Sequence, residues 1–257
     1  MEKRIVLSIW IIATFLLANY GYGWLKSWDI INPEWPGDVR QILAQVVFQA
    51  VPPILLLALL YGRKKIGSEL GLRTPILKAI TVAGLATLPM LIGYGLAANW
   101  QMSMSWRGFF YGCVFAALME ELLYRGFLFG QLFRQAKWGF IPAGLIAALV
   151  FGSAHLYQSN DWDSMAGIFF VTAIGSLWFA WLYVEWNYNL WVPIFFHFLM
   201  NFYWGLFDMD TTALGGLEAN IYRALTIALS IIITIRWNRN QGHKKKIHRG
   251  TLFSNNT

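Results

Sequence analysis

The sequence of 257 residues has few charged side chains and a single cysteine. Charged residues make up 13% of the chain, whereas soluble domains carry about 25%. The lone Cys113 excludes an internal disulfide, and the sequence contains no Cys/His spacing of the zinc-finger type. Hydrophobic residues instead make up 57% of the chain and aromatic residues 17%. This composition indicates a membrane protein with aromatic side chains at the lipid–water interfaces.

Several apolar segments are long enough to cross a bilayer, for which about 20 predominantly apolar residues are needed. Eight such segments lie at residues 5–25, 42–61, 77–98, 108–133, 140–157, 166–184, 190–207 and 217–235. The eighth is the least regular, because Glu218 and Arg223 lie near its start. We therefore predict an all-α membrane protein with about eight transmembrane helices that enclose a polar cavity.

Basic residues are distributed unevenly between the predicted loops. If the N-terminus lies in the cytoplasm, the outside loops contain only Lys26, Arg40 and Arg107, and the other loop lysines and arginines lie inside. This distribution follows the positive-inside rule, so we predict a multi-pass protein of the bacterial plasma (inner) membrane with both termini cytoplasmic. The first segment lacks a clear small-residue cleavage site and is predicted to be a retained anchor.

The net charge of +7 resides mainly in these inside loops and in the last residues of the chain. Residues 241–257 are basic and poor in apolar side chains, so we predict a disordered tail that contacts anionic membrane lipid. Placement of the charge in short loops and in this tail argues against nucleic-acid binding, and we expect no nucleic-acid partner.

Three of the apolar segments carry polar or aromatic residues four positions apart, which places each pair on one face of a helix. Ionisable groups at membrane depth are costly and are therefore a functional hypothesis by default. Counted from the predicted inner ends at 1.5 Å per residue, all three sets fall in one middle layer of the bilayer. The pairs are Glu121 with Arg125, Phe151 with His155, and His197 with Asn201.

The first set contains one carboxylate more than an ion pair requires. Glu121 lies one turn before Arg125, in the favourable acid-then-base order, and we predict that this pair holds the helix in place. Glu120 points about 100° away from its neighbour. We therefore predict that Glu120 is the residue available for chemistry.

The other two sets allow a purely structural interpretation when each is taken alone. His155 is compatible with an ordinary polar residue near the membrane interface, with Phe151 as the wall of a pocket. His197 and Asn201 are compatible with an interhelical hydrogen bond, worth about 0.6–2 kcal/mol in membranes. Only the joint placement of all three sets favours a functional cavity.

In chain order the sets read Glu-Glu-x-x-x-Arg, Phe-x-x-x-His and His-x-x-x-Asn. They resemble the EExxxR, FxxxH and HxxxN signatures of the CPBP intramembrane proteases, a family that groups CAAX prenyl endopeptidases with bacterial Abi and bacteriocin-processing or immunity proteins. The resemblance implies a catalytic core at residues 106–207. We expect this core to be preceded by a three-helix region at 1–105 and followed by the last transmembrane helix at 208–240 and the tail at 241–257.

The resemblance implies hydrolysis of a peptide bond inside the membrane. Glu120 and His155 would activate a water molecule, and His197 with the Asn201 amide would form an oxyanion hole. The supporting residues would be Glu121, Arg125 and Phe151. The expected substrate is a membrane-associated peptide or protein, for which a peptide pheromone, a bacteriocin leader or a propeptide fits a short bacterial member better than a prenylated protein does.

Metal dependence has also been described in this family, and Glu120, His155 and His197 would be the zinc ligands in that case. Because no HExxH motif and no acidic partners for the histidines are visible in the sequence, we favour glutamate-activated water and require no cofactor. The alternative function is a non-catalytic immunity or partner-binding membrane protein that uses the same polar core. A proton-coupled carrier and a histidine-ligated haem protein are further alternatives.

Overall fold

The computed structural model describes residues 2–28, 30, 32, 34, 36–241, 247 and 251–254. This part of the chain is all-helical, with one isolated antiparallel β-bridge between Trp138 and Ser254. Most of the tail predicted to be disordered lies outside the described residues. Its described residues contact the rest of the molecule, since Ile141 N donates to Leu252 O at 2.9 Å and Ile247 N to Glu185 Oε1 at 3.2 Å.

The described residues form nine main helices, which we number in chain order. They are α1 (Glu2–Ser27), α2 (Gly37–Tyr61), α3 (Ile76–Ala86), α4 (Leu88–Ala97), α5 (108–134), α6 (Phe140–Ser153), α7 (Trp162–Glu185), α8 (Trp191–Leu206) and α9 (Leu217–Asn240). Two helices contain π-helical turns, which are frequent at functional sites. These turns are Leu43–Ala50 in α2, and Gly108–Phe115 and Glu121–Phe129 in α5.

Five helical stretches of the described residues are long and apolar enough to cross a membrane, namely α1, α2, α7, α9, and α6 together with the residues that follow it up to Gln158. A sixth candidate is the pair α3 and α4, which is bent by 41°. The bend follows from Pro89, which lacks a backbone N–H donor in the first turn of α4, and from Thr87, whose hydroxyl donates to the Ala83 carbonyl at 2.8 Å. The helices lie where the eight apolar segments predict them, and the number that crosses the membrane stays a prediction.

Helix α5 is the centre of the packed structure. Every residue of its Glu121–Phe129 turn segment is buried, and α1, α2, α6, α7 and α8 all contact the helix. Gly126 permits the close approach of α8, because a Cβ atom there would lie 3.0 Å from Leu190 Cδ2. Since lipid tails are as apolar as leucine, such close packing rather than exclusion from water holds membrane helices together.

The loop between α2 and α3 connects α5 to the start of α8. Arg134 Nη1 donates to the Glu69 carbonyl at 2.6 Å, and Leu190 N donates to the Gly71 carbonyl at 3.1 Å. Gly71 has a φ of +81°, and a Cβ atom there would lie 2.0 Å from the Tyr188 carbonyl oxygen. The loop thus fixes the relative position of the two helices that carry Glu120, Glu121 and His197.

Candidate active site

A buried charged cluster joins α5 to α8. Glu121 Oε1 accepts one hydrogen bond from Arg125 Nη1 at 2.9 Å and another from His197 Nδ1 at 2.7 Å. The side chains of Glu121 and Arg125 are 0% and 1% exposed. The ion pair predicted from the four-residue spacing is therefore present, and the same carboxylate also orients the histidine of the third motif.

Glu120 lies on the other side of the same imidazole. Its Oε2 atom is 3.9 Å from His197 Nε2, which is longer than a hydrogen bond, and its side chain is 27% exposed. The buried Oε2 has no hydrogen-bond partner. The two adjacent glutamates thus face the two nitrogens of one ring, and Glu120 is the one of the two that lines the cleft.

Two aromatic rings enclose the guanidinium of Arg125. Its Cζ atom is 4.5 Å from the centre of the Phe151 ring and 5.2 Å from that of Phe179, distances typical of cation–π contacts. Phe179 also packs against the His197 ring at 5.7 Å. Phe151 is therefore a wall of the site, as its spacing indicates. Phe179 lies in an uninterrupted apolar stretch of α7, where the sequence contains no signal that singles it out.

His155 does not continue the helix that carries Phe151, because α6 ends at Ser153. The His155 Nδ1–H group donates to the Phe151 carbonyl at 2.7 Å, and the His155 backbone N donates to Gly152 O instead. The side chain thus takes the acceptor that the next helical hydrogen bond would have used. A carbonyl only accepts, so Nδ1 carries a proton, and in the neutral ring Nε2 is the nitrogen with the lone pair.

Asn201 projects from α8 toward the first π-helical segment of α5. Its Nδ2 atom donates to the Gly112 carbonyl at 2.9 Å. This contact fixes the orientation of the amide and uses one of its two N–H groups. The second N–H group remains available to a ligand.

These side chains line one cleft of about 880 Å³. Of the seven residues predicted for the site, all but the enclosed Glu121 contribute to its wall. The cleft extends beyond them along apolar residues of α7, α8 and α9 to the loop before α9, and it includes Trp178, Met200, Asp210, Thr212 and Arg223. Its volume falls in the range of small-molecule and cofactor sites. A second cleft of about 660 Å³, between α1 and Trp138, contains none of the predicted residues.

Whether Glu120, His155 and His197 can hold zinc depends on their spacing and on which histidine nitrogens face the cleft. Within the ranges that the structure describes, no three His, Cys, Asp or Glu side chains are close enough together to hold a metal ion. Nδ1 of each histidine donates a hydrogen bond, to the Phe151 carbonyl in one case and to the Glu121 carboxylate in the other, which leaves Nε2 as the nitrogen that would bind a metal. Zinc dependence stays an untested prediction, and no chemical step below is derived through a metal.

The sequence matches a known family over its central region. Residues 101–203 match the family model described as "Type II CAAX prenyl endopeptidase Rce1-like". All three motifs fall inside this stretch, and the resemblance to the CPBP proteases that they carry is confirmed.

One curated relative, from Bacillus subtilis (strain 168), is named "Putative membrane peptidase YdiL". It is 36% identical over 84 residues, which are 33% of this chain and 30% of the relative. The chain therefore spans less than a third of the length of the relative that it matches. No solved structure matches the chain. Both similarities are to peptidases, and the name of the relative places that protein at a membrane.

Proposed function

We propose that this chain, whose central region resembles the Rce1-like members of the CPBP proteases, is an intramembrane endopeptidase of the plasma membrane. It would hydrolyse a peptide bond in a membrane-associated peptide or protein with a water molecule activated by Glu120 and His155. The observation that supports this proposal most is the His197 ring. Its Nδ1–H group donates a hydrogen bond to Glu121 in the protein interior, while its Nε2 atom faces Glu120 at the cleft wall.

Two side chains act on the water molecule, one as a base and the other as a hydrogen-bond acceptor. The Glu120 carboxylate accepts a proton from the water, and His155 Nε2, which carries a lone pair, accepts a hydrogen bond from the remaining O–H group. The hydroxide oxygen then attacks the carbonyl carbon of the substrate. Both side chains line the cleft, so one bound peptide can reach them together.

The negative charge that develops on the substrate oxygen needs donors. The free N–H group of Asn201 is one donor, and His197 Nε2–H is the other when the ring carries both protons. Once Glu120 has taken the proton of the water, the positive charges of His197 and Arg125 exceed the negative charge of Glu121 by one, which balances the negative charge on the substrate oxygen. The cluster is then preorganised for an oxyanion and needs no large rearrangement.

Collapse of the tetrahedral intermediate completes the reaction. The proton held by Glu120 passes to the amide nitrogen of the leaving group, the C–N bond breaks, and the products are a carboxylic acid and an amine. The acid then gives its proton to the amine, so that a carboxylate and an ammonium group leave the cleft and Glu120 is again ionised. No group outside the cleft is required. The role of Glu121, Arg125 and Phe151 is to hold His197 and the wall of the cleft in place.

Cleavage by the purified full chain in liposomes tests the proposal. With a library of apolar peptides as the probe, Glu120→Gln should lower the cleavage rate by about 10²–10⁴-fold, the usual contribution of a positioned acid–base group. The matched control is Glu218→Gln, which changes an exposed glutamate in the first turn of α9. EDTA should leave the wild-type rate unchanged, and a strict requirement for zinc would contradict the water activation described here.

A non-catalytic immunity or partner-binding protein would give a different result. Its biological phenotype would survive Glu120→Gln, and no product peptide would accumulate with the wild type. Wild-type cleavage by a correctly folded Glu120→Gln variant, checked by size-exclusion chromatography, would refute the endopeptidase mechanism.

A further inference from the structure

Arg223 is a charged residue of the cleft that the proposed chemistry does not use. It lies two turns into α9, in the last of the apolar segments, and lines the same cleft as Glu120 and His155. Cations at membrane depth are costly and usually mark a ligand or a partner group. The positive-inside distribution of basic residues in the loops therefore does not explain the charge of Arg223.

The guanidinium of Arg223 rests on an aromatic platform. Its Cζ atom is 4.5 Å from the centre of the Trp204 ring, and Trp204 Nε1 donates to the Asp210 carbonyl at 3.0 Å. The Tyr94 ring packs edge-on against Trp204 at 5.9 Å, and its hydroxyl neighbours the guanidinium. These contacts fix the plane of the guanidinium but contribute no negative charge.

No carboxylate pairs with Arg223 in the part of the chain that the structure describes. Its Nη1 atom has no hydrogen-bond partner, and no acidic oxygen lies within 4.0 Å. The acid whose charge acts on Arg223 is Asp210, and its Oδ1 atom accepts from the backbone N–H of Thr212 at 2.8 Å and from the Thr212 hydroxyl at 3.2 Å. Arg125, the other arginine of the cleft, has its own carboxylate at 2.9 Å.

The cleft that contains Arg223 and the candidate catalytic residues also has apolar lining residues. They include Ile174, Trp178, Met200 and Ile227. In such surroundings a guanidinium interacts strongly with an anion, and its planar N–H groups match the two oxygens of a carboxylate. The ligand that fits is therefore an apolar peptide with one carboxylate at a fixed distance from the scissile bond.

We propose that Arg223 is a specificity-determining residue that binds a carboxylate of an otherwise apolar peptide substrate. The carboxylate is either the C-terminal group of the substrate or an Asp or Glu side chain. This inference rests on the proposed endopeptidase function. The inference adds the substrate class: Arg223 would select apolar peptides with a carboxylate over neutral peptides of the same length.

The test compares three forms of one library of 12-residue peptides composed of Ala, Leu, Phe and Ser. One form ends in a free carboxylate, the second in a carboxamide, and the third in a carboxamide with one internal Glu. Cleavage by the full chain in liposomes is measured for the wild type, Arg223→Gln and Arg223→Lys. The matched control is Arg236→Gln, an exposed arginine of the same helix that lies outside the cleft.

We expect the wild type to prefer one carboxylate form over the plain carboxamide by about 10- to 100-fold in kcat/KM, as expected for a hydrogen bond to a charged group. Arg223→Gln should abolish the preference through KM, with kcat nearly unchanged, and Arg223→Lys should retain part of it. Preference for the free C-terminus or for the internal Glu identifies the source of the carboxylate. An equal rate for all three forms, or a preference that survives Arg223→Gln, would overturn the proposal.

The assay also separates this proposal from the proposed function. If the wild type cleaves no peptide, the endopeptidase assignment fails, and binding of the same fluorescent peptides then decides the role of Arg223. Tighter binding of a carboxylate form by the wild type but not by Arg223→Gln would support the carboxylate site without catalysis. Equal binding of all forms would reject it. A folding defect in Arg223→Gln would appear in size-exclusion chromatography, in which case Arg223→Lys supplies the comparison.

Discussion

Removal of the negative charge of Glu121 tests whether its carboxylate has both a structural and a functional role. Glu121→Gln keeps the shape of the side chain but leaves the buried Arg125 guanidinium uncompensated. At the observed separation of 2.9 Å, the Coulomb energy of the pair is about 6 kcal/mol for an effective dielectric constant of about 20. Breaking buried pairs by removal of one partner costs about 3–5 kcal/mol in practice. We expect a loss of unfolding free energy in that range.

The double variant Glu121→Gln with Arg125→Met separates the two roles. Replacement of both members of a buried ion pair by neutral groups of similar volume is often neutral or stabilising, so most of the lost stability should return. Activity should stay low, because the hydrogen bond between Glu121 and His197 Nδ1 changes from an ionic to a neutral one. Stability is measured by SDS-induced unfolding in mixed micelles, and activity by peptide cleavage. Recovery of wild-type activity in the double variant would refute the role of Glu121 in holding His197.

Two further predictions concern Asn201 and Gly71. Asn201→Ala should lower kcat about 10²–10³-fold with little change in KM, because it removes a donor to the oxyanion; an unchanged kcat in steady-state kinetics would exclude that role. Gly71→Ala should lower the unfolding free energy by about 3 kcal/mol or more, since its positive φ and the Tyr188 carbonyl at 2.0 Å both disfavour a Cβ atom. Gly84→Ala, in α3 with nothing within 4 Å of the new Cβ, is the control and should be near neutral in the same unfolding assay; equal losses in both variants would contradict the account.

The positions of the helices follow from the length of the apolar segments, which is a local property of the sequence. Each of the eight segments contains helix at the predicted place. The 41° bend between α3 and α4 was not predicted, although Pro89 is a visible signal for it. The π-helical turns were not predicted either. In α2 they end just before Pro52 and Pro53, whose missing N–H groups are a visible signal, whereas the π-helical turns of α5 contain no proline.

The members of the candidate site follow from the motif spacing, but their pairing does not. Helical periodicity predicts the contact between Glu121 and Arg125, since both lie on one helix. The bond from His197 to Glu121 joins residues 76 positions apart and depends on how α8 packs on α5. Hydrophobic periodicity also does not predict the end of α6 before His155, because the His155 side chain competes there with the backbone for the Phe151 carbonyl.

Mass spectrometry of native membranes tests the central claim most directly. New peptide termini are compared between cells that contain the wild type and cells that contain the Glu120→Gln variant at equal abundance. The account predicts termini within or next to apolar segments that occur only with the wild type and that reappear when the wild-type chain is restored. The same set of termini in both membranes would contradict hydrolysis by Glu120-activated water.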